Sequence, residues 1–371
     1  MCGADAAAVA AYRRAGSGVG RCRSPGAGAG VEPGVYRPIW FTSVMATGIV
    51  ALAVREERVS ALAWVLAALA AATYVALLIA HVRWWRLPNS RGQAIELFAF
   101  VAATEVLASL SHWHYVSLAL WAVGAVAWLP VVALVLATRD GHVTGSWLLA
   151  AVATDSLAVT GAPLARHAGS DTGVALAVAA WLLALSVYCL LAAAILRRIA
   201  RRDIRREDLD GDHWVTMGAL AISALAGSRV LAAMTVLGWD LREAVRTVAI
   251  VVWIGALAWL PALIAAEAWR LRRPPLFTTG RWSTVFPLGM LAVASHALAL
   301  TAGIAAAMPA FHVFTAVAVA AYAGMSAGSV SWARKNSTIG FTYSSSRGQR
   351  SPWRPRMSSA RRVSKRTGWF R

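Results

Sequence analysis

Ten apolar stretches, each long enough to cross a bilayer and each closed by a turn or a group of charges, dominate this chain of 371 residues. A spanning helix needs about 20 residues, with a range of roughly 17–25, because hydrocarbon offers no water to satisfy an open backbone. The stretches fall at about 38–54, 60–81, 94–110, 115–137, 146–163, 173–196, 214–237, 244–270, 283–305 and 310–332. Turn and charge signals separate them, among them Leu87-Pro88-Asn89, Arg139-Asp140-Gly141, Asp210-Gly211-Asp212 and Arg272-Arg273-Pro274-Pro275. Only 14% of the residues are charged, against roughly 25% in a soluble domain. The fold class is therefore all-α and integral to the membrane, with ten transmembrane helices joined as five helical hairpins. The helical domain takes residues 38–333, between a basic N-terminal arm at 1–37 and a basic C-terminal tail at 334–371. Both flanks are expected to be disordered, since Ala, Gly, Arg and Ser cannot build a core. No apolar stretch follows Arg13, Arg14, Arg21 and Arg23 directly, which argues against a cleaved signal peptide.

The formal net charge of +19 is a topological signal. With the N-terminus placed in the cytoplasm, 30 Lys and Arg residues fall inside and 5 outside, and without the two tails the ratio is still 14 to 5. This is the positive-inside bias, and it puts both termini on the cytoplasmic side of a bacterial plasma membrane. The basic residues lie between apolar stretches and in the flanks rather than on one amphipathic face, so the partner they imply is lipid and not nucleic acid. The segment 197–212 mixes both signs of charge and reads as a solvated helical extension. Cys2, Cys22 and Cys189 have neither metal nor redox spacing. His112 and His114 share a turn without a nearby acid or Cys, and His296 and His312 read as packing residues. No metal and no cofactor is implied. Acidic metal motifs, catalytic His clusters and sizeable polar loops are lacking, which speaks against an enzyme.

The cytoplasmic halves of the odd-numbered stretches share a texture of small residues with hydroxyls and an occasional aromatic. Examples are Phe41-Thr42-Ser43-Val44-Met45-Ala46-Thr47-Gly48, Phe100-Val101-Ala102-Ala103-Thr104, Ala151-Val152-Ala153-Thr154 and Met217 to Ser223. Such residues allow close helix approach in lipid. The first of these, continued through Ile49-Val50, resembles the first-helix signature of the tellurite-resistance/dicarboxylate transporter family. That family also holds slow-type anion channels, malate permeases and sulfite efflux pumps. Trp282 followed by Phe286-Pro287-Leu288-Gly289 resembles its ninth-helix motif. Ala46 departs from the Gly that many members carry, a difference of one methyl group. The resemblance covers about residues 38–333. It implies five hairpins around a central pore lined by the odd helices, a homotrimer with one pore per protomer, and small inorganic or carboxylate anions as substrates (malate, sulfite, chloride, nitrate or tellurite). Two other readings stand beside it: a proton-coupled dicarboxylate symporter, and a membrane sensor or scaffold without transport.

The resemblance also assigns an occluding aromatic to Phe286. Pro287 next to it cannot donate a backbone hydrogen bond and would kink the helix, so the ring is either a dry constriction or a core residue beside a packing kink. Phe41, Thr42, Met45, Thr47, Gly48, Thr104, Glu105, Thr154, Asp155, Ser223 and Arg229 are the further pore-lining candidates. Hydroxyls either meet the anion or bond their own backbone. Arg229 sits about 22 Å along the seventh helix at 1.5 Å per residue, where it either attracts anions or snorkels and pairs with an acid. Glu105 and Asp155 are puzzling beside an anion path. They are protonated, paired with Arg229, proton-carrying, or turned away into a helix contact.

Overall fold

The computed structural model describes residues 37–84, 87–138, 143–201, 211–271 and 281–345. The N-terminal arm, the tail beyond 345 and most of the charged segment after Arg201 lie outside the described residues. Ten helices are long and apolar enough to span a membrane, and no strand occurs among the described residues. They are α1 (Pro38–Glu56), α2 (Ser60–Arg83), α3 (Arg91–Leu110), α4 (His114–Ala137), α5 (Gly145–His167), α6 (Asp171–Ala200), α7 (Asp212–Leu237), α8 (Arg242–Arg270), α9 (Trp282–Thr301) and α10 (Ala307–Ser329). Every expected span is present. The last helix runs on to Ser345, past the expected limit near 332. The chain divides into two units. Met1–Met325 holds the helical assembly described below, and Ser326–Arg371 carries the continuation of the last helix.

Burial separates the helices into two sets. The most apolar window of each odd helix is 72–78% buried, and that of each even helix 11–28%. The odd helices touch in a closed circuit: α1 on α3, α3 on α5, α5 on α7, α7 on α9, and α9 back on α1. Small residues permit this closeness. A methyl group at Gly48 would sit 2.4 Å from Val106 of α3, and one at Gly289 would sit 2.8 Å from Ile49 of α1. The even helices lie outside the ring and expose Leu62, Val65 and Ile79 on α2, Val126 and Leu129 on α4, Leu176 and Leu190 on α6, and Val251 and Ile264 on α8. An apolar exterior of this extent fits lipid as the solvent.

One contact recurs around the circle. Tyr74 of α2 reaches Thr104 Oγ1 of α3 at 2.8 Å. Trp128 Nε1 of α4 donates to Thr154 Oγ1 of α5 at 2.9 Å. Trp181 Nε1 of α6 donates to the Ser223 carbonyl of α7 at 2.9 Å. Trp253 Nε1 of α8 donates to Ser295 Oγ of α9 at 2.9 Å. The Tyr322 hydroxyl of α10 lies 3.5 Å from Thr47 Oγ1 of α1 and completes the set. Thr104, Thr154 and Ser295 each give their own proton to the carbonyl four residues earlier, so their oxygens are free to accept from the aromatic donor. Each outer helix is thereby tied to the inner helix that follows it. Such a bond in lipid contributes about 0.6–1.5 kcal/mol.

Candidate functional site: the ring axis and its far vestibule

Successive residues of an α-helix are rotated by about 100°, so the helix contacts fix which stripe of each odd helix faces the ring centre. On α9, Ser295 bonds to outer helix α8, and Phe286 lies about 180° from it. A methyl group at Gly218 of α7 would lie 2.8 Å from Pro287, while Gly289 meets α1. Phe286 thus sits between the two inner-ring contacts of its helix. Met290, Val293 and Ala297 share its stripe within an arc of about 60°. On α1, Met45, Leu52 and Glu56 fall between Gly48, which faces α3, and Ile49, which faces α9. By the same construction Ala102 and Val106 of α3, Val152, Val159 and Pro163 of α5, and Ile222 and Arg229 of α7 look inward. Met45, Leu52, Ala102, Val106, Val152, Val159, Ile222, Phe286, Met290 and Val293 are each no more than 8% exposed. The axis is closed by apolar side chains, and an ion passing it would shed its hydration with no polar replacement.

Where the odd helices end, the axis opens into a cavity of about 140 Å³. Its walls come from four of the five ring helices and include Glu56, Pro163, Arg166, Arg229, Val293 and His296. His296 Nδ1 is 3.5 Å from Glu56 Oε2, and Arg55 is 3.9 Å from Glu56 Oε1. Among the described residues the side chain of neither Arg166 nor Arg229 forms an ion pair or a hydrogen bond. Val293 and Ala297, on the Phe286 stripe, line this same cavity. Aromatic ring and arginine vestibule therefore share one axis.

The remaining residues expected to line a pore are placed as follows. Phe41 joins an aromatic cluster with Phe100 of α3 at 5.3 Å and Tyr74 of α2 at 5.7 Å. Thr42 Oγ1 donates to the Ile39 carbonyl. Thr47, Thr104 and Thr154 meet outer helices α10, α2 and α4. Gly48 serves the α1–α3 contact. The Glu105 carboxylate abuts Gly124 of outer helix α4, where a methyl group would lie 2.1 Å from Oε1. Thr104, Thr154 and Glu105 thus turn outward, which does not fit a lining role: their positions on the helix bring them round to the outer neighbours. Asp155 is fully buried at the α5–α7 contact, where Ser223 Oγ donates to its Oδ2 and its Oδ1 has no partner. Ser223 is the member of the recurrent set whose hydroxyl bonds across the inner ring instead of back along its helix. Arg229 makes no ion pair with either acid.

Sequence reading passed over Glu56 and Arg166 and took His296 for a packing or interface residue. The first two stood out only as charges at helix ends, and their convergence needs four helices that are distant in sequence. It also missed the aromatic donors Tyr74, Trp128, Trp181 and Trp253, because every even stretch carries more than one indole or phenol and nothing local marks the one that meets a hydroxyl of the next stretch.

A closed ring of five inner helices sheathed by five apolar outer ones, with a cavity walled by arginines where the ring helices end, defines a polytopic α-helical membrane protein. The sequence profile of the voltage-dependent anion channel family matches residues 36–330, and the chain belongs to that family. Two uncharacterized membrane proteins from two strains of Mycobacterium tuberculosis are each 33% identical to it over 123 residues. That match takes in 31% of this chain and 61% of each relative, so the chain spans about three-fifths of the length of these curated relatives.

Proposed function

We propose that the chain conducts small anions along the axis of the five-helix ring, that Phe286 and Pro287 form its constriction, and that the described conformation is the closed one. The observation that carries this reading is the stripe on α9 that runs from Phe286 through Val293 and Ala297 into the arginine vestibule. A dry aromatic constriction bars ions by dewetting, and a small displacement of the ring opens it. Arg229 lowers the barrier for an anion at one mouth, and the apolar centre offers a cation nothing. The substrates are of the chloride, nitrate, sulfite, tellurite or malate type. The assembly is a homotrimer in a bacterial plasma membrane, with both termini in the cytoplasm. Purified protein in planar bilayers tests the core of this. Phe286→Ala should raise chloride conductance severalfold over the wild type. No rise, in protein of normal yield and assembly, removes Phe286 from the gate.

A second reading, anion–proton symport, is favoured by one feature. Asp155 lies fully buried between two ring helices with one oxygen unpartnered, which suits a proton that comes and goes. Flux into proteoliposomes from pH 5 to 8 should then lose its pH dependence in Asp155→Asn. An identical profile in variant and wild type rejects the symport.

A further inference from the structure

We propose that the far vestibule is a binding site for a small dianion, held between Arg166 and Arg229 before it enters the ring. This deepens the conduction reading and rests on it. Arg166 closes the end of α5 and Arg229 lies on the inner stripe of α7, and both line the one cavity. Neither guanidinium forms an ion pair or a hydrogen bond among the described residues, although Glu56 lines the same cavity and its charge acts on Arg229 across it. Glu56 is already engaged by His296 at 3.5 Å and approached by Arg55 at 3.9 Å. Arg55 in turn donates to the Leu110 carbonyl at 3.4 Å. Two arginines against one shared carboxylate leave the cavity with surplus positive charge. A guanidinium binds a carboxylate or oxyanion through two parallel N–H···O bonds, so two of them match two anionic groups better than one chloride.

Size points the same way. The volume of about 140 Å³ is close to the roughly 150 Å³ of an engineered cavity that takes up benzene, six heavy atoms in all. A short dicarboxylate, or an oxyanion with one or two waters, fills such a space, whereas a bare halide leaves most of it to water. The geometry makes the vestibule a filter by charge number that stands ahead of the apolar constriction.

The test is calorimetric titration of the full chain with malonate, in nanodiscs of uncharged phosphatidylcholine. The expected result is saturable binding that chloride at equal ionic strength does not displace. Arg166→Gln and Arg229→Gln should each weaken it by about tenfold or more, the cost of one charge-assisted pair. Glu56→Gln should tighten it. Because binding is read without flux, a protein that binds malonate but conducts nothing leaves this site standing and rejects the conduction reading. No binding to the wild type, or binding as tight as the wild type's in both arginine variants, overturns the site. So does displacement by chloride at equal ionic strength. Loss of malonate binding when phosphatidylglycerol replaces phosphatidylcholine would assign the cavity to a lipid phosphate and also overturn it. Arg166 lies at the exposed end of its helix, so its variant should fold even if Arg229→Gln does not.

Discussion

Gly218→Ala probes the proposed gate without touching it. The added methyl group would lie 2.8 Å from Pro287 Cγ, 3.0 Å from its Cβ and 3.3 Å from its Cα. The closest of these falls about 0.6 Å short of ordinary carbon–carbon contact. A proline ring has no free rotamer that relieves the overlap, and its Cα belongs to the backbone, so α9 itself must move away from α7. Overpacking of this kind costs about 1–3 kcal/mol, and the better helix propensity of Ala returns at most about 1 kcal/mol. The net loss is about 1 kcal/mol, or a few degrees in melting temperature for a chain of this size. The motion falls on the residue next to Phe286, and it pushes the constriction away from the α7 side of the axis. Two assays read it: thermal unfolding of the purified protein, and chloride conductance in planar bilayers. Gly218→Ala should melt lower than the wild type and leak more. Gly255→Ala is the matched control, because its methyl group would meet only Leu220 Cδ1 at an ordinary 3.4 Å. It should melt at or above the wild-type temperature with unchanged conductance. If the two variants behave alike in both assays, the α7–α9 contact does not set the position of the proposed gate.

Three further outcomes follow from the contacts above. Trp128→Phe deletes the 2.9 Å bond to Thr154 and should cost about 0.6–1.5 kcal/mol in unfolding with single-channel conductance unchanged; a changed conductance would place Thr154 on the ion path. Glu105→Gln should leave the pH profile of flux as it is in the wild type, since its carboxylate faces α4 and not the axis; a shifted profile in proteoliposomes would return Glu105 to the pore. Glu267 accepts from Arg270 at 2.5 Å and Arg281 at 3.0 Å and lies 3.5 Å from His213, joining the starts of α7 and α9 to the end of α8. Glu267→Ala should therefore destabilise by about 1.5–3 kcal/mol, and an unchanged melting temperature would show those contacts to be dispensable.

The sequence by itself determined the ten spans, their order and their alternation. Apolar length, turn chemistry and arginine bias are one-dimensional signals, and lipid as solvent leaves a chain of this composition no other regular structure. The α3 start was expected at 94 and is found at Arg91, and α5 runs to His167 rather than 163. Shifts of this size are ordinary where helix ends fray. The family likeness of Trp40 to Val50 and of Phe286 to Gly289 was also legible, because both motifs are local. Rotation about each helix axis was not. Thr104 and Glu105 are adjacent in sequence, and the sequence leaves each open between the lumen and a helix contact. They point about 100° apart, one to Tyr74 of α2 and the other to Gly124 of α4. Hydrophobic periodicity gave no guide, since an odd helix of this ring is apolar on every side and its faces differ only in which neighbour they meet. Only the closed circuit of five helices decided that Phe286 and Met45 turn inward, that the hydroxyls meet indoles and phenols on outer helices, and that Glu56, Arg166, Arg229 and His296 gather around one cavity. These are contacts between residues tens to hundreds of positions apart, fixed by packing and carried by no local pattern in the chain.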